Sequence, residues 1–146
     1  MATRHALFAA LELAAQPDRY LSAAEIAEKY GISLNHLAKV LRTLGRQGLV
    51  EAARGVGGGY RFSANAKRLN LFEIISIFES VGTTTASERE AGDETAEGQA
   101  LRKVIEEIED MTQSTLSSIT VDTMLKIVSK TNAKRAPATV AERATG

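Results

Sequence analysis

The chain has 146 residues, which fits one domain or one domain with an appendage. It contains no cysteine, and this excludes disulfides, thiolate metal sites and cysteine nucleophiles. No apolar run approaches the roughly 18 residues of a membrane span. Glu12 interrupts the apolar N-terminal stretch, which lacks the layout of a signal peptide. We therefore expect a cytoplasmic protein that makes no membrane contact and carries no metal or other cofactor.

The net charge at pH 7 is zero, but the charges are unevenly spread along the chain. Residues 1–68 carry a net charge of +5, residues 69–128 carry −8 and residues 129–146 carry +3. A basic first half favours a polyanionic partner, and the acidic second half would repel the same partner. A nucleic-acid site is therefore expected in the first 68 residues.

The first part of the chain predicts three helices. Apolar residues recur with helical spacing over residues 3–15, and a proline follows them. Ser22 and Glu25 form a capping box for a second helix that runs to Tyr30. A third helix is expected over residues 33–47, with the Ser33 hydroxyl as its cap.

After Gly48 the pattern becomes strand-like. Residues 49–53 and 60–63 read as two short strands on either side of a glycine-rich turn, which together predict a small hairpin. Asn70 and Glu73 form a second capping box, which opens a helix to about Ser80. The predicted fold class is therefore mainly α with a small β-hairpin.

The second half predicts one long helix. Residues 82–98 are polar and acidic, and we expect them to form a mobile loop. A long amphipathic helix is expected from about residue 97 to residue 118, and a shorter one over residues 121–128. The tail, residues 129–146, is expected to have no fixed structure.

The segment 23–42 has the features of a helix-turn-helix unit. Gly31 lies in the turn, and the small side chain of Ala27 lets the two helices cross closely. The residues placed to face inward are Ile26, Ala27, Tyr30, Ile32, Leu37 and Val40. A helical pair without a nucleic-acid role is the alternative interpretation.

The third helix has one apolar and one cationic face. The apolar face, with spacing i, i+3, i+4 and i+7, consists of Leu37, Val40, Leu41 and Leu44. Residues near the N-terminus of such a helix meet base edges, and the candidates here are Asn35, His36 and Lys39. Arg42 and Arg46, further along the same face, are candidates for phosphate contacts. The alternative is a merely solvated basic face.

The hairpin adds a second candidate contact. Arg54 and Arg61 bracket a glycine-rich tip, and glycines allow a backbone to approach a phosphate or enter a narrow groove. The run is neither a dinucleotide fingerprint nor a P-loop. A helix-turn-helix followed by such a hairpin is a winged helix. Besides Ser33 and the residues of the third helix, the candidate DNA-binding residues are Arg54, Gly57, Gly58, Tyr60 and Arg61.

These motifs resemble the Rrf2 family of bacterial transcription regulators, the group of IscR, NsrR and CymR. The resemblance is carried by residues 23–42, by Gly48-Leu49-Val50 and by Arg54-Gly55-Val56-Gly57-Gly58-Gly59-Tyr60, and it covers roughly the first eighty residues well. It implies a winged helix-turn-helix DNA-binding domain over residues 1–80 and a dimerisation helix region over residues 99–128. It also implies that the helix over residues 33–47 enters the major groove, and that Arg54 and the wing glycines meet the minor groove and the backbone.

One departure from the family limits what the protein can sense. Many members carry three cysteines in the loop after the post-wing helix, and these hold an iron–sulfur cluster. The corresponding residues 82–92 contain no thiol, so cluster sensing by the usual ligands is chemically impossible. The acidic residues of this loop match no calcium-loop spacing.

The long helix is expected to pair two copies of the chain. Its apolar stripe consists of Leu101, Val104, Ile105, Ile108, Met111 and Leu116. Two-fold pairing predicts an inverted-repeat target for a homodimeric repressor. Two alternatives stay open, namely a winged-helix module that docks a partner protein and a sensor of an unidentified ligand. Catalysis is not expected, since no carboxylate is placed to orient His36 beside Ser33.

Overall fold

The computed structural model describes residues 2–79 and 90–144, with side chains described up to Arg135. Along the chain, three helices precede one antiparallel hairpin and three helices follow it in the described residues. The elements are α1 (Ala2–Ala15), α2 (Ala23–Tyr30), α3 (Leu34–Arg46), β1 (Val50–Ala53), β2 (Gly59–Phe62), α4 (Leu71–Phe78), α5 (Ala96–Ser118) and α6 (Val121–Ala144). The predicted fold class is confirmed. Residues 82–89 of the predicted mobile loop lie outside the described residues.

The caps of α2 follow the sequence prediction. The Glu25 amide donates to the Ser22 hydroxyl at 3.1 Å, and the Ser22 amide donates to the Glu25 carboxylate at 2.8 Å. The hydrogen bond from the Ser22 amide lowers the pKa of Glu25. At the other end, Gly31 adopts φ 63°, a left-handed conformation that glycine accepts without strain.

The predicted cap of α3 is wrong. The Ser33 hydroxyl makes no capping hydrogen bond, and only its carbonyl accepts from the Leu37 amide, at 3.0 Å. Ser33 is exposed, so water can satisfy the first-turn amides that a cap would otherwise serve.

The core lies where α1 crosses α3 and α4. On α1 the buried side chains are mostly alanines, and their small size lets the neighbouring helices approach closely. From α3, Leu37, Leu41 and Leu44 are fully buried against them. Ile26 of α2, Val50 of β1, Phe62 of β2 and Ile74 of α4 complete the same core.

A polar and aromatic cluster joins α1 to α2. The Glu12 carboxylate accepts hydrogen bonds from the Lys29 ammonium and the Tyr30 hydroxyl. Phe8 and Tyr30 stack with ring centroids 4.4 Å apart. Burial, followed by the hydrogen bond to Glu12 and its negative charge, raises the pKa of Tyr30, so the hydroxyl keeps its proton and serves as a hydrogen-bond donor to Glu12.

The corner between α5 and α6 is attached to the same core. Val121 is fully buried, and its amide donates to the Leu69 carbonyl at 2.9 Å. The Leu71 amide donates to the Ile119 carbonyl, also at 2.9 Å. The segment predicted as a separate dimerisation region, residues 99–128, therefore contributes a residue to the core of the first eighty.

Helix α6 continues to Ala144, which corrects the predicted end at Val128 and the predicted unstructured tail. The stretch after Val128 is rich in alanine, lysine and arginine, all strong helix formers. Because the side chains of residues 129–135 are exposed, packing against the core does not hold this stretch in the helix, and its helix propensity accounts for it. Residues 145–146 lie outside the described part. None of the described helices is both long enough and apolar enough to span a membrane.

The two serines at the helix starts provide a matched test. Ser22→Ala removes a side-chain cap and is expected to lower the free energy of unfolding by about 1 kcal/mol. Ser33→Ala removes an exposed hydroxyl that caps nothing, so it should change stability much less. Urea denaturation followed by circular dichroism measures both, and equal losses would contradict the assigned caps.

Candidate nucleic-acid interface

Helix α3 presents its polar face to solvent because its opposite face is fixed in the core. Leu37, Val40, Leu41 and Leu44 are all buried, so the residues about 180° away around the helix must point outward. The exposed predicted site residues of this segment are Ser33, Asn35, His36, Lys39, Arg42 and Arg46. Four of the eleven predicted nucleic-acid contacts, Asn35, Lys39, Arg42 and Arg46, thus share one surface, which we call the α3 face; His36 flanks it, and Ser33 lies exposed just before α3.

The cations of the α3 face are not neutralised by neighbouring carboxylates. The ion pairs between described side chains include Lys29–Glu12, Arg61–Glu51, Arg102–Asp93 and Lys126–Asp122. Lys39, Arg42 and Arg46 take part in none of these pairs. Their positive charge is therefore directed to solvent, where an anionic partner can meet it.

The hairpin of β1 and β2 forms the wing. Its register pairs Val50 with Phe62 and Ala53 with Gly59, and the tip lies between these strands. Gly55 and Gly57 adopt φ 96° and 78°, and these positive angles turn the chain at the tip. Arg54 is exposed at the start of the tip.

Gly58 and Gly59 lie so close to neighbouring backbone that a larger residue would collide with it. A Cβ on Gly58 would lie 2.4 Å from the Ala53 carbonyl oxygen, and one on Gly59 would lie 2.4 Å from the Leu21 carbonyl oxygen. Gly58 is half-buried, whereas Gly57 is exposed. The predicted nucleic-acid role of Gly58 therefore has a competing structural explanation within the protein itself.

Arg61 makes its contacts with other residues of the same chain. Its guanidinium donates to the Glu51 carboxylate at 2.8 Å and lies 5.0 Å from the centre of the Tyr20 ring. Glu51 and Arg61 are direct cross-strand partners. The hydrogen bond to Glu51 raises the pKa of Arg61. Of the two arginines that bracket the tip, only Arg54 is without such a partner among the described residues.

Tyr60 connects the wing to the segment that precedes α2. The Leu21 amide donates to the Tyr60 carbonyl and the Tyr60 amide donates to the Leu21 carbonyl, both at 2.8 Å. Its half-buried side chain packs against the core. This isolated antiparallel bridge attaches the wing to the residue before the cap of α2.

A groove of about 530 Å³ separates the end of α3 from β1. Its cationic side chains are Arg42 and Arg46, and Glu51 and Tyr60 lie on its wing side. Because the ion pair with Arg61 offsets the charge of Glu51, the groove keeps a positive character. A negatively charged backbone could lie along it.

Sequence reasoning missed Tyr20, Leu21 and Glu51 as supports of the wing. The opposite charges of Glu51 and Arg61 at facing hairpin positions were a readable signal. The contact with Tyr20 had no such signal, because it joins segments about forty residues apart along the chain.

The long helix α5 exposes the predicted apolar stripe. Leu101, Val104, Ile105, Ile108 and Met111 are 42–70% exposed, and Leu116 is half-buried. None of the residues of α5 is buried, although the helix contacts α4. A shallow apolar groove of about 370 Å³ runs along it beside Ile108 and Met111.

Comparison with known proteins points to one family. Residues 1–127 match the protein-family model Rrf2, described as an iron-dependent transcriptional regulator. BadM of Rhodopseudomonas palustris, named as an HTH-type transcriptional regulator, is 50% identical over 122 residues, which is 84% of this chain and 77% of BadM.

Solved structures show the same fold. The structure of CymR, described as the global cysteine regulator of B. subtilis, superposes with a TM-score of 0.75 at 24% identity and covers 87% of this chain and 95% of CymR. IscR of T. potens superposes with a TM-score of 0.71 at 24% identity and covers 88% of this chain and 85% of IscR.

The residues of this chain do not fit a thiolate-held iron site. Iron–sulfur clusters are held mainly by cysteine thiolates, and the 146 residues contain none. Within residues 2–79 and 90–135, no three histidine or carboxylate side chains come close enough together to hold a metal ion.

Replacing either of two wing glycines by alanine should destabilise the protein, but by different amounts. Gly55 and Gly59 both have positive φ, but only at Gly59 would the new Cβ collide with backbone. Gly55→Ala should cost about 1–2 kcal/mol from backbone strain alone. Gly59→Ala should cost more, since the Leu21–Tyr60 pairing must also open. Thermal unfolding of both variants tests this order, and equal costs would contradict the tight approach at Leu21.

Proposed function

Because this chain belongs to the Rrf2 family of transcriptional regulators, we propose that it is a homodimeric repressor that binds an inverted-repeat operator in double-stranded DNA. The observation that carries the proposal is the α3 face, which is cationic, exposed and free of ion pairs among the described residues. Binding to chromosomal DNA implies a cytoplasmic location in a bacterium.

In this proposal α3 reads base edges in the major groove. Asn35 and His36 lie in its first turn and Lys39 lies one turn later, as expected of side chains that reach base edges. An asparagine side chain can pair with adenine and a lysine with guanine. Arg42 and Arg46 line the groove beside the wing, where they would hold the phosphate backbone.

The wing would make the second contact, at the minor groove and backbone. Its exposed cation is Arg54, and the exposed Gly57 adds no bulk to the tip. Arg61 and Tyr60 support this contact from within the protein, as their bonds to Glu51 and Leu21 fix the direction of the wing.

Two copies would pair through the apolar stripe of α5. Five large apolar side chains exposed on one helix, beside polar residues, mark a protein interface. Two-fold symmetry then sets the two α3 helices one DNA turn apart, or a multiple of it, and the target becomes an inverted repeat. The acidic charge of α5 keeps this end of the dimer away from the DNA. Occupation of a promoter by such a dimer would block transcription.

The base-edge and phosphate assignments predict different mutant phenotypes. In a binding-site selection from random duplexes, Asn35→Ala or Lys39→Ala should relax the preference at particular base pairs. Arg54→Ala should weaken all sequences alike and reduce the salt dependence, by about 0.9 in the log–log slope per lost phosphate contact. Lys130→Ala, which removes a cation from α6, is the matched control and should change neither. A purely sequence-dependent loss in Arg54→Ala would contradict the phosphate assignment.

Two isoleucines of similar exposure test the dimer. Ile108 on the α5 stripe is 57% exposed and Ile127 on α6 is 49% exposed. Ile108→Glu should yield monomers, since a charge cannot be buried unpaired in the interface. Loss of the second half-site contact should weaken operator binding about a hundredfold. Ile127→Glu should leave the dimer and the affinity unchanged. Sedimentation velocity and fluorescence anisotropy measure both effects, and a dimeric Ile108→Glu variant would refute this interface.

A further inference from the structure

Val56 stands alone at the tip of the wing. It is the most exposed large apolar side chain within residues 2–79 and 90–135, with a relative exposure of 109%. A single exposed valine needs no explanation by itself. Its placement is different, because it lies in the tip between the paired strands, flanked by Gly55 and Gly57 with φ 96° and 78°.

The tip is narrow because its other residues carry almost no side chains. Gly55, Gly57 and Gly58 contribute only backbone, so Val56 and Arg54 are the side chains that project from it. The minor groove of B-DNA is about 6 Å wide, and a tip of this profile can enter it. Arg54, exposed at the start of the tip, would hold the phosphate backbone beside the groove.

The wing presents Val56 at a defined position relative to α3. The pair of 2.8 Å hydrogen bonds between Leu21 and Tyr60 ties β2 to the residue that precedes the cap of α2. The ion pair of Arg61 with Glu51 ties the two strands together. A tip held in this way makes its contact at a fixed place in the operator.

The chemistry of the minor-groove floor then distinguishes base pairs. A·T and T·A pairs present only acceptors there, whereas a G·C pair adds the N2 amino donor of guanine. The methyl groups of valine cannot accept a hydrogen bond, so an amino group covered by them would lose its water without replacement. An A·T pair carries no such donor.

We propose that Val56 makes the wing selective for A·T over G·C pairs in the minor groove of the operator. This inference rests on the proposed function, since it requires that the wing meets DNA. It assigns to the wing a reading of sequence, beyond the positioning on the backbone that Arg54 supplies.

The test replaces each A·T pair of the selected operator in turn by G·C and by inosine·C. Inosine·C has the major-groove edge of G·C but lacks the N2 amino group. For at least one position in each half-site, the G·C substitution should lower the affinity of the wild-type protein for the operator about five- to tenfold. The inosine·C substitution at the same position should restore that affinity. Fluorescence anisotropy at one fixed salt concentration measures all duplexes.

Two variants assign the effect to Val56. Val56→Gly removes the side chain, and Val56→Thr keeps its size but replaces one methyl group by a hydroxyl that can accept from the amino group. With either variant, the affinities for the G·C and inosine·C operators should differ by less than twofold. The control Val128→Thr on α6, far from the wing in sequence and also exposed, should keep the wild-type difference.

Three outcomes overturn the inference. If inosine·C binds as weakly as G·C, the discrimination comes from the major groove. If Val56→Gly keeps the full difference, the groove is read by Arg54 or by its shape. If no pair shows a difference while the operator still binds, only this inference fails. A wild-type protein that binds no selected duplex would instead refute the proposed function.

Discussion

The burial of one face of α3 against the alanines of α1 is the constraint on which the interface depends. Ala6, Ala9 and Ala10 are buried, and their small size lets Leu37 and Leu41 pack fully into the core. Since an α-helix has 3.6 residues per turn, fixing these leucines inward fixes the direction of every other side chain on α3. The cationic face is exposed for this reason, and no loop or hinge is needed to present it.

The wing depends on the same core through a second set of contacts. An isolated two-stranded hairpin is marginally stable in water, and this one has only four residues in each strand. Val50 and Phe62 are buried at its base, Leu21 pairs with Tyr60 through one isolated bridge, and Arg61 holds Glu51 across the strand pair. Because Leu21 directly precedes the cap of α2, the wing and the helix-turn-helix share one anchor and are oriented together.

The charge distribution divides the chain into a basic first part, residues 1–68, and an acidic second part, residues 69–128. The first 68 residues carry the positive charge that would meet DNA, and residues 69–128 carry the negative charge that would avoid it. Val121 joins the two parts, as it is fully buried in the core next to the corner between α5 and α6. This attachment fixes the direction of the α5 stripe relative to the α3 face, as the proposed dimer would require in order to match the spacing of two half-sites.

Much of this protein could be read from its sequence because the relevant signals are local. Helical periodicity, the Ser22–Glu25 cap, Gly31 in its turn and the apolar stripe of α3 each depend on residues a few positions apart, and the structure agrees with them. The absence of cysteine also settled, without any structure, that a thiolate-held cluster cannot form. Only the tertiary structure revealed that the Arg61 guanidinium lies over the Tyr20 ring, that Gly59 lies against the Leu21 backbone and that Val121 belongs to the core. These contacts join segments far apart along the chain, and no periodicity within one segment records which distant neighbour it will meet.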